Sequence, residues 1–350
     1  MINKSFWKNK KVLITGFSGF KGFWLYQILK RLGSEVFGIS LEGNNSEIYE
    51  LASKLGSIKN DIKLDICNNE LLDNLVNSIS PDIVFHFAAQ PLVFTAKNEP
   101  IKTINTNVIG TFNILESLRK SEKRVGIIVA TTDKVYKNPD NNNTEESELG
   151  AFEIYGATKV CQELIIDSFN MDPFFINKIS VVRSGNVLGG GDGAKDRLLT
   201  DILYSIATNN DIVLRHPNSI RPWQFIFDSL SGYVLTAELN YLTNRADKFN
   251  LHSPNLENLT VLEIANHLKS KFLSTSDIVV KENMNLESNI LRLNSNKANK
   301  ILNWEPKFNL EETVQMIYEW EISKKNNDIL NIIEEHLNTF FIKQNLKSQE

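Results

Sequence analysis

The first half of the chain alternates short apolar runs with longer amphipathic stretches. Five runs rich in β-branched residues show no regular polar alternation, which is typical of strands buried on both faces of a parallel sheet; they span 11–14, 35–39, 83–87, 126–129 and 179–182. Between them, apolar residues recur every three or four positions over 24–32, 70–79, 105–118 and 155–169, as in helices with one buried face. This order predicts an α/β fold with a doubly wound parallel sheet.

The alternation weakens after residue 186, and a glycine-rich loop and further helical stretches follow. The helical spacing returns over 198–207, 229–242 and 261–272. We therefore predict a sheet domain over 1–186, with a return segment at about 225–253, and a smaller mixed α/β lobe from 187–224 and 254–325. Residues 326–350 form a predicted helical tail.

Composition narrows the classes of function. The 350 residues are 42% hydrophobic, as expected for a globular core, and carry a formal net charge of -4, which gives no electrostatic support for nucleic-acid binding. No window approaches the roughly 18 apolar residues of a membrane span, and we expect a cytoplasmic protein without a membrane partner. Two distant cysteines, Cys67 and Cys161, predict neither a disulfide framework nor a metal site.

The first predicted strand runs directly into the glycine-rich stretch TGFSGFKG at residues 15–22. Glycines at this spacing let the backbone turn tightly before a helix and approach a pyrophosphate, whose charge is favoured at the helix amino end. An ordinary tight turn is the alternative, but the position on the first strand favours a dinucleotide. The residues predicted to hold it here are Gly16, Ser18, Gly19, Phe20, Lys21 and Gly22.

Further cofactor contacts are expected where later strands end. Ser40 and Glu42 are the candidates for the acidic or polar group that binds the ribose hydroxyls, and no Arg or Lys occurs between residues 40 and 45, which favours NAD over NADP. Other predicted contacts are Asp65, Ile66, Phe87, Ala88, Ala89, Gln90, Asn107 and Thr131.

Tyr155 and Lys159 are four residues apart at the start of a predicted helix, so their side chains share one face. A nearby ammonium stabilises a phenolate and lowers the tyrosine pKa from its ordinary value of about 10. Such a pair removes a proton from an alcohol while a nicotinamide accepts the hydride. The spacing alone is common on protein surfaces; after a dinucleotide loop and this sheet, it predicts an oxidoreductase-type centre to which Tyr155 and Lys159 also contribute cofactor contacts.

Taken together, the motifs resemble the extended short-chain dehydrogenase/reductase superfamily, which has a Rossmann sheet, and within it the nucleotide-sugar 4,6-dehydratases. The resemblance runs from about residue 6 to 320 and rests on TGFSGFKG, FHFAAQPLV, NTNVIGT, TTDKVY and YGATK. The stretches RSGNVLGGGD, DRL and IRPWQ are similar to the members that act on CDP-glucose.

The resemblance implies a three-step reaction: oxidation at C4 of the sugar, loss of water across C5 and C6, and return of hydride to C6. It implies that Tyr155 acts at the 4-hydroxyl, that Thr132 bonds the 4-oxygen, and that Asp133 and Lys134 exchange the protons of the elimination. The sequence leaves open which of those two is acid and which is base. Adjacent side chains of an extended strand point to opposite faces, so both reach one substrate only if the chain turns at Thr132. A solvated ion pair at a strand end is the alternative.

The resemblance also implies that the sugar nucleotide is held by the second lobe. Guanidinium groups suit phosphate oxygens. The predicted substrate contacts are Gln90, Thr132, Arg183, Asn186, Arg197, Arg215 and Arg221. His86, on a buried strand, is predicted to be a core histidine rather than a catalyst.

Some positions depart from the CDP-glucose pattern: Phe17, Gly193, Phe225 and the pair 153–154. They weaken the prediction of cytidine and glucose, and a dehydratase of another nucleotide-linked hexose or heptose, including a GDP- or UDP-linked sugar, is a second interpretation. A 4-epimerase or decarboxylase needs Tyr155 and Lys159 but not Thr132, Asp133 and Lys134. A non-enzymatic NAD sensor is the alternative from another class. The superfamily suggests a homodimer, or a dimer of dimers, built on the helix over 105–118 beside the Tyr155 helix.

Overall fold

The fold is a seven-stranded parallel sheet with helices on both faces and a smaller lobe beside its carboxyl edge. The computed structural model describes residues 1–43, 45–56, 58–121, 123–281 and 290–346. Residues 282–289 of the predicted second lobe and 347–350 of the predicted tail lie outside the described residues. In the described part of the chain, every helix is too short or too polar to cross a bilayer.

Five of the eleven strands in the described residues follow the predicted apolar runs. The eleven strands are β1 (Lys11–Thr15), β2 (Glu35–Ser40), β3 (Asp61–Lys63), β4 (Ile83–His86), β5 (Gly126–Thr132), β6 (Ile179–Ser184), β7 (Val187–Leu188), β8 (Ile212–Leu214), β9 (Gln224–Phe225), β10 (Lys248–Leu251) and β11 (Ile278–Val280). The main sheet has the order β10-β6-β5-β4-β1-β2-β3, and β8 with β11 and β7 with β9 form two small parallel pairs.

The helices fall where the three- and four-residue spacing predicts them, with additions. They are α1 (Lys4–Trp7), α2 (Phe20–Leu32), α3 (Glu47–Lys54), α4 (Asn69–Ile79), α5 (Val93–Asn98), α6 (Pro100–Ile104), α7 (Gly110–Arg119), α8 (Ile154–Met171), α9 (Leu198–Thr208), α10 (Ile226–Thr243), α11 (Val261–Lys271), α12 (Asn296–Leu302), α13 (Leu310–Asn326) and α14 (Ile329–Lys343). One π-helical turn, Asn105–Ile109, joins α6 to α7.

The predicted doubly wound fold is confirmed. The sheet order reverses direction at β1, where the chain crosses from β3 to β4, and the carboxyl ends of the strands on either side of such a switch leave a crevice for ligands. Apolar side chains fill both faces: α2 and α10 pack on one face with α14 outside them, and α4, α7 and α8 pack on the other. A separate apolar cluster, built from α9, α11 and α13, forms the core of the smaller lobe. The division of the chain into domains stays a prediction.

Candidate active site

One cavity of about 1360 Å³ runs along the carboxyl ends of the sheet strands and into the smaller lobe. The predicted residues that line it are Gly16, Ser18, Gly19, Phe20, Lys21, Gly22, Asp65, Ile66, Phe87, Ala88, Ala89, Thr131, Thr132, Asp133, Lys134, Tyr155, Lys159, Asn186, Arg197, Arg215 and Arg221. Residues as far apart in the sequence as Gly16 and Arg221 therefore share one space. It joins the glycine loop, the end of β5, the start of α8 and the arginines of the smaller lobe.

The glycine loop at the end of β1 fits a dinucleotide cradle by its packing. A Cβ at Gly16 would lie 2.7 Å from the backbone nitrogen of Ala88, and one at Gly22 would lie 2.2 Å from the carbonyl oxygen of Gly16. Gly16 also has φ +72°, a left-handed conformation that glycine adopts without steric cost. Only glycines allow this loop to lie flat against the end of β4, so its backbone stays open to a ligand in front of α2.

The ribose-binding prediction is corrected in part. Glu42 is exposed and does not line the cavity, because the chain has already turned away from β2. Ser40, the last residue of β2, does line it, and its hydroxyl donates to Asp61 at 2.6 Å and accepts from Lys63 at 2.9 Å. The carboxylate that holds the Ser40 hydroxyl is thus Asp61 of β3, a pairing between strands that the sequence of β2 alone does not reveal.

Gln90 and Asn107 are buried and hold the framework instead of lining the cavity. The side-chain oxygen of Asn107 accepts from the backbone N–H of Gln90 at 2.8 Å, and its amide donates to Thr158 at 2.9 Å. The Gln90 amide donates to Thr103 at 3.0 Å. Both predicted ligand contacts are therefore corrected: Asn107, within the π-helical turn, ties the end of β4 to α8, which carries the reactive tyrosine.

The chain turns at the end of β5. Thr132 is extended, with φ −147° and ψ 160°, and a 3₁₀ turn follows over Asp133–Val135. This turn removes the strand alternation that would separate adjacent side chains, and Asp133 and Lys134 both line the cavity. They are not a solvated pair: Asp133 is buried at 3% exposure and Lys134 is half-buried.

Thr132 lies between Asp133 and Tyr155 and is hydrogen-bonded to both. Its hydroxyl donates to Oδ1 of Asp133 at 2.8 Å and is also hydrogen-bonded to the Tyr155 hydroxyl. The second carboxylate oxygen of Asp133, Oδ2, is buried and has no hydrogen-bond partner among the described residues. A buried oxygen of this kind is costly unless a ligand pairs with it, so it marks the carboxylate as a contact point for a bound molecule.

Tyr155 is placed by the amino end of α8. Glu153 caps this helix by accepting from the backbone N–H groups of Tyr155 and Gly156, each at 2.7 Å. Burial raises the pKa of Tyr155 and the charge of Asp133 raises it further, whereas the Thr132 hydrogen bond and Arg197 lower it. Lys159 is not among the main groups that shift the Tyr155 pKa, and its ammonium donates to Ala130 and Gln162.

Two lysines line the same cavity, Lys159, which is buried, and Lys21, which is half-buried. Burial lowers the pKa of Lys159 to about 8, with Glu163 opposing the shift. Burial lowers the pKa of Lys21 to about 7, assisted by the charges of Arg197 and Lys159, and its ammonium donates to the Ser184 hydroxyl at 2.9 Å. Lys21 is thus more than part of a glycine loop, because its side chain reaches the end of β6.

Arg183 is not a ligand of this cavity. Its guanidinium makes a bidentate pair with Glu163 of α8, at 2.8 and 2.5 Å, and donates to the Tyr136 hydroxyl at 2.7 Å. Both charged side chains are at most 1% exposed. The predicted substrate contact is wrong at this position, because all the donors of Arg183 that could reach a phosphate are directed into the interior between β6 and α8.

The smaller lobe supplies the remaining cationic groups. Arg197 forms an ion pair with Asp192 at 3.3 Å, and both residues line the cavity together with Arg221 and Asn186. Asp192 was not predicted as a site residue, although it ends the quoted motif RSGNVLGGGD. His86 is buried and lies outside the cavity lining, which agrees with its prediction as a core residue.

Known protein families and individual proteins are similar to this chain over most of its length. Residues 13–317 match the family model described as GDP-mannose 4,6 dehydratase. CDP-glucose 4,6-dehydratase of Salmonella typhimurium is 35% identical over 335 residues, which cover 91% of this chain and 92% of that protein. UDP-glucose 4-epimerase of Mycoplasma genitalium is 24% identical, with 87% and 94% coverage.

Solved structures share the fold at lower identity. An epimerase from Methanothermobacter thermautotrophicus superposes with a TM-score of 0.81 at 21% identity, covering 95% of this chain and 96% of that one. The dTDP-glucose 4,6-dehydratase of Bacillus anthracis, solved in complex with NAD, superposes with a TM-score of 0.76 at 21% identity, covering 91% and 98%.

Proposed function

The chain belongs to the GDP-mannose 4,6-dehydratase family, and from that premise we propose that it converts CDP-glucose to CDP-4-keto-6-deoxyglucose. At the coarser level the protein is an NAD-dependent hydro-lyase of the nucleotide-sugar 4,6-dehydratase type. The choice of CDP-glucose rests on the 35% identical relative and on the sequence motifs RSGNVLGGGD, DRL and IRPWQ.

The observation that carries the proposal is the turn after β5. A 4-epimerase or a decarboxylase needs a tyrosine and a lysine at the cofactor, but an elimination also needs groups that remove one proton and supply another. Here Asp133 and Lys134 line the same cavity as Tyr155, and Thr132 bonds both Asp133 and Tyr155. The proton-transfer groups therefore converge on one space.

The residues divide the reaction between them. Tyr155 takes the proton of the sugar 4-hydroxyl, and Thr132 orients the phenol and the 4-oxygen. Once C4 is a ketone, the C5 proton is acidic, and Lys134 removes it. Asp133, through Oδ2, which has no partner in the described part of the chain, gives a proton to the departing 6-hydroxyl, so water leaves across C5 and C6. Asp133 must carry this proton when the 6-hydroxyl departs.

NAD fits the sheet end of the cavity and supplies a reversible acceptor for the two electrons that leave C4 and return at C6. The Gly16 to Gly22 loop would hold the pyrophosphate, because its glycines press the backbone against the end of β4 and leave it facing the cavity. Ser40, Asp65 and Ile66 would hold the adenosine side. Lys159 would hold the nicotinamide side, where its ammonium stands on the Tyr155 face of α8.

The sugar nucleotide would occupy the smaller-lobe half of the cavity. Arg197 and Arg221 are the proposed partners of its diphosphate, since Arg183 is committed to Glu163. The departures at Gly193 and Phe225 bear less on substrate choice than the sequence suggests. Phe225 is buried against Phe308, and neither departing residue is part of the cavity lining.

A homodimer is proposed from the outer face of α7 and α8 and the π-helical turn before them. Ile109, Phe112 and Leu164 leave between 44 and 58% of their surface exposed there, and a second copy of the chain would cover this apolar surface in a homodimer. Mass measurement in solution tests this: a mass of about 40 kDa would exclude the dimer, and one twice as large would support it.

The function is tested by offering purified protein a panel of CDP-, dTDP-, GDP- and UDP-linked hexoses and heptoses in deuterated water. We expect a product lighter than CDP-glucose by one water, with one solvent deuterium at C5. A product of unchanged mass and inverted C4 would establish an epimerase instead. Conversion of another nucleotide sugar, with CDP-glucose left unchanged, would keep the dehydratase and overturn the cytidine assignment.

A further inference from the structure

A buried hydrogen-bond chain leads away from Lys159 into the protein. The Lys159 ammonium donates to the carbonyl oxygen of Ala130 at 3.1 Å and to Oε1 of Gln162 at 2.9 Å. Gln162 is fully buried, one turn further along α8. Because an ammonium only donates, the amide oxygen of Gln162 must face it, and the amide NH₂ must face away.

The side-chain nitrogen of Gln162, which faces away from Lys159, makes the next hydrogen bond. Its Nε2 donates to Oγ1 of Thr111 at 2.7 Å, and the Thr111 hydroxyl donates to the carbonyl oxygen of Asn107 at 2.7 Å. A hydroxyl has a single proton, which Thr111 has now used. The contact of 2.9 Å between Thr111 and Nε2 of His86 therefore needs the proton on His86.

The same count of hydroxyl and ring protons assigns the role of the other ring nitrogen of His86, Nδ1. Burial lowers the pKa of His86 to about 3, so the ring is neutral and carries one proton, on Nε2. Nδ1 must then accept from the Thr15 hydroxyl, 2.7 Å away, and the oxygen of that hydroxyl accepts from the backbone N–H of Ala88 at 3.2 Å. The chain of bonds thus joins Lys159 to the two strand ends that support the glycine loop.

From this geometry we infer that Gln162 is a positioning residue for Lys159, and that it locks the catalytic ammonium to a neutral, Nε2-protonated His86 through Thr111. The inference deepens the proposed function, on which the role of Lys159 rests. Two of the three ammonium protons are bound by Ala130 and Gln162, which leaves one for a ligand. Gln162 thereby determines where that remaining proton points.

The side-chain oxygen of Gln162 also affects the pKa of Lys159. Lys159 interacts electrostatically with Glu163 on its own helix, with His86 on β4 and with Lys21 on α2. Burial already lowers its pKa to about 8. An acceptor stabilises the charged form, so loss of the Gln162 oxygen lowers the pKa further, and a carboxylate in its place raises it.

The test compares Gln162→Leu with Gln162→Glu in full-length protein saturated with NAD. The Lys159 pKa is read from the lysine ε-carbon NMR titration, assigned with Lys159→Arg, and from the pH profile of kcat. We expect a lower pKa in Gln162→Leu, a higher pKa in Gln162→Glu, and about a tenfold fall in kcat for Gln162→Leu with KM nearly unchanged. Cys161→Ala, an exposed neighbour on α8, is the matched control and should titrate like the parent protein.

Folded variants whose Lys159 titrates as in the parent protein would overturn the inference. A purely structural glutamine would lower stability in both variants without moving the titration in opposite directions. If the parent protein converted no nucleotide sugar, the proposed function would fail while the titration still reported on Gln162. Should either variant not fold, the ring nitrogens of His86, one of five histidines, decide the matter: a proton on Nδ1, or a charged ring near neutral pH, contradicts the chain of bonds.

Discussion

The ends of β5 and β6 lie side by side, yet their charged residues have opposite fates. Thr131 and Thr132 stand in register with Arg183 and Ser184. Arg183 pairs with Glu163 through two hydrogen bonds, whereas Asp133, immediately after Thr132, has one buried oxygen that finds no partner among the described residues. The complete pair is part of the framework, and the incomplete one faces the cavity. Both regions contain buried charged side chains. They differ in whether the hydrogen-bonding atoms of those side chains are paired within the protein.

The largest effect on turnover is expected from a change at the phenol of Tyr155. Tyr155→Phe removes the proton acceptor of the first step and leaves the ring that packs at the start of α8, so turnover should fall by at least about 10³-fold while the protein stays folded. Initial rates with CDP-glucose and circular dichroism check both parts. Near-normal turnover in this variant would remove Tyr155 from the mechanism.

Lys134→Ala should stop the elimination. We expect a loss of about 10²- to 10⁴-fold in turnover, the range for removal of an acid–base group, and loss of solvent deuterium at C5. Lys137→Ala is the matched control, since Lys137 lies on the same loop but is exposed and paired with Glu148. It should exchange C5 normally. Exchange that persists in Lys134→Ala would assign the base to another group.

The framework side is probed with Arg183→Met. This change removes the bidentate partner of the buried Glu163 carboxylate and leaves it only Lys248 at 3.4 Å and the Thr131 hydroxyl at 2.8 Å. We expect a loss of about 3 kcal/mol in the free energy of unfolding, measured with urea. The double variant Arg183→Met with Glu163→Leu removes both charges and should recover much of that loss. If Arg183→Met were instead stable, with a raised KM for the sugar nucleotide, Arg183 would be a ligand after all.

The smallest effect is expected at the end of β2. Glu42→Ala should leave NAD affinity within about twofold, because an exposed surface substitution changes little. Ser40→Ala should weaken NAD binding several-fold more, since Ser40 lines the cavity and is bonded to Asp61. Fluorescence titration of both variants measures the difference. The reverse order would return the ribose contact to Glu42.

A large part of the molecule follows from the sequence itself. Apolar periodicity predicts the five central strands and the helices that cover them, because burial on a face repeats at the period of the element. The glycine loop and the spacing of Tyr155 and Lys159 are local, so a short stretch contains the whole signal. These local patterns led to the residues that line the cavity.

The pairing of polar residues with partners distant in the chain depends on the tertiary structure. Arg183 is held by Glu163, 20 positions away, Ser40 by Asp61, 21 positions away, and Asn107 by Thr158, 51 positions away. Local periodicity reports which face of an element is apolar, but it contains no information about which donor on one element meets which acceptor on another. That pairing depends on how the strands are ordered and the helices docked, and it separates a ligand-binding arginine from a structural one.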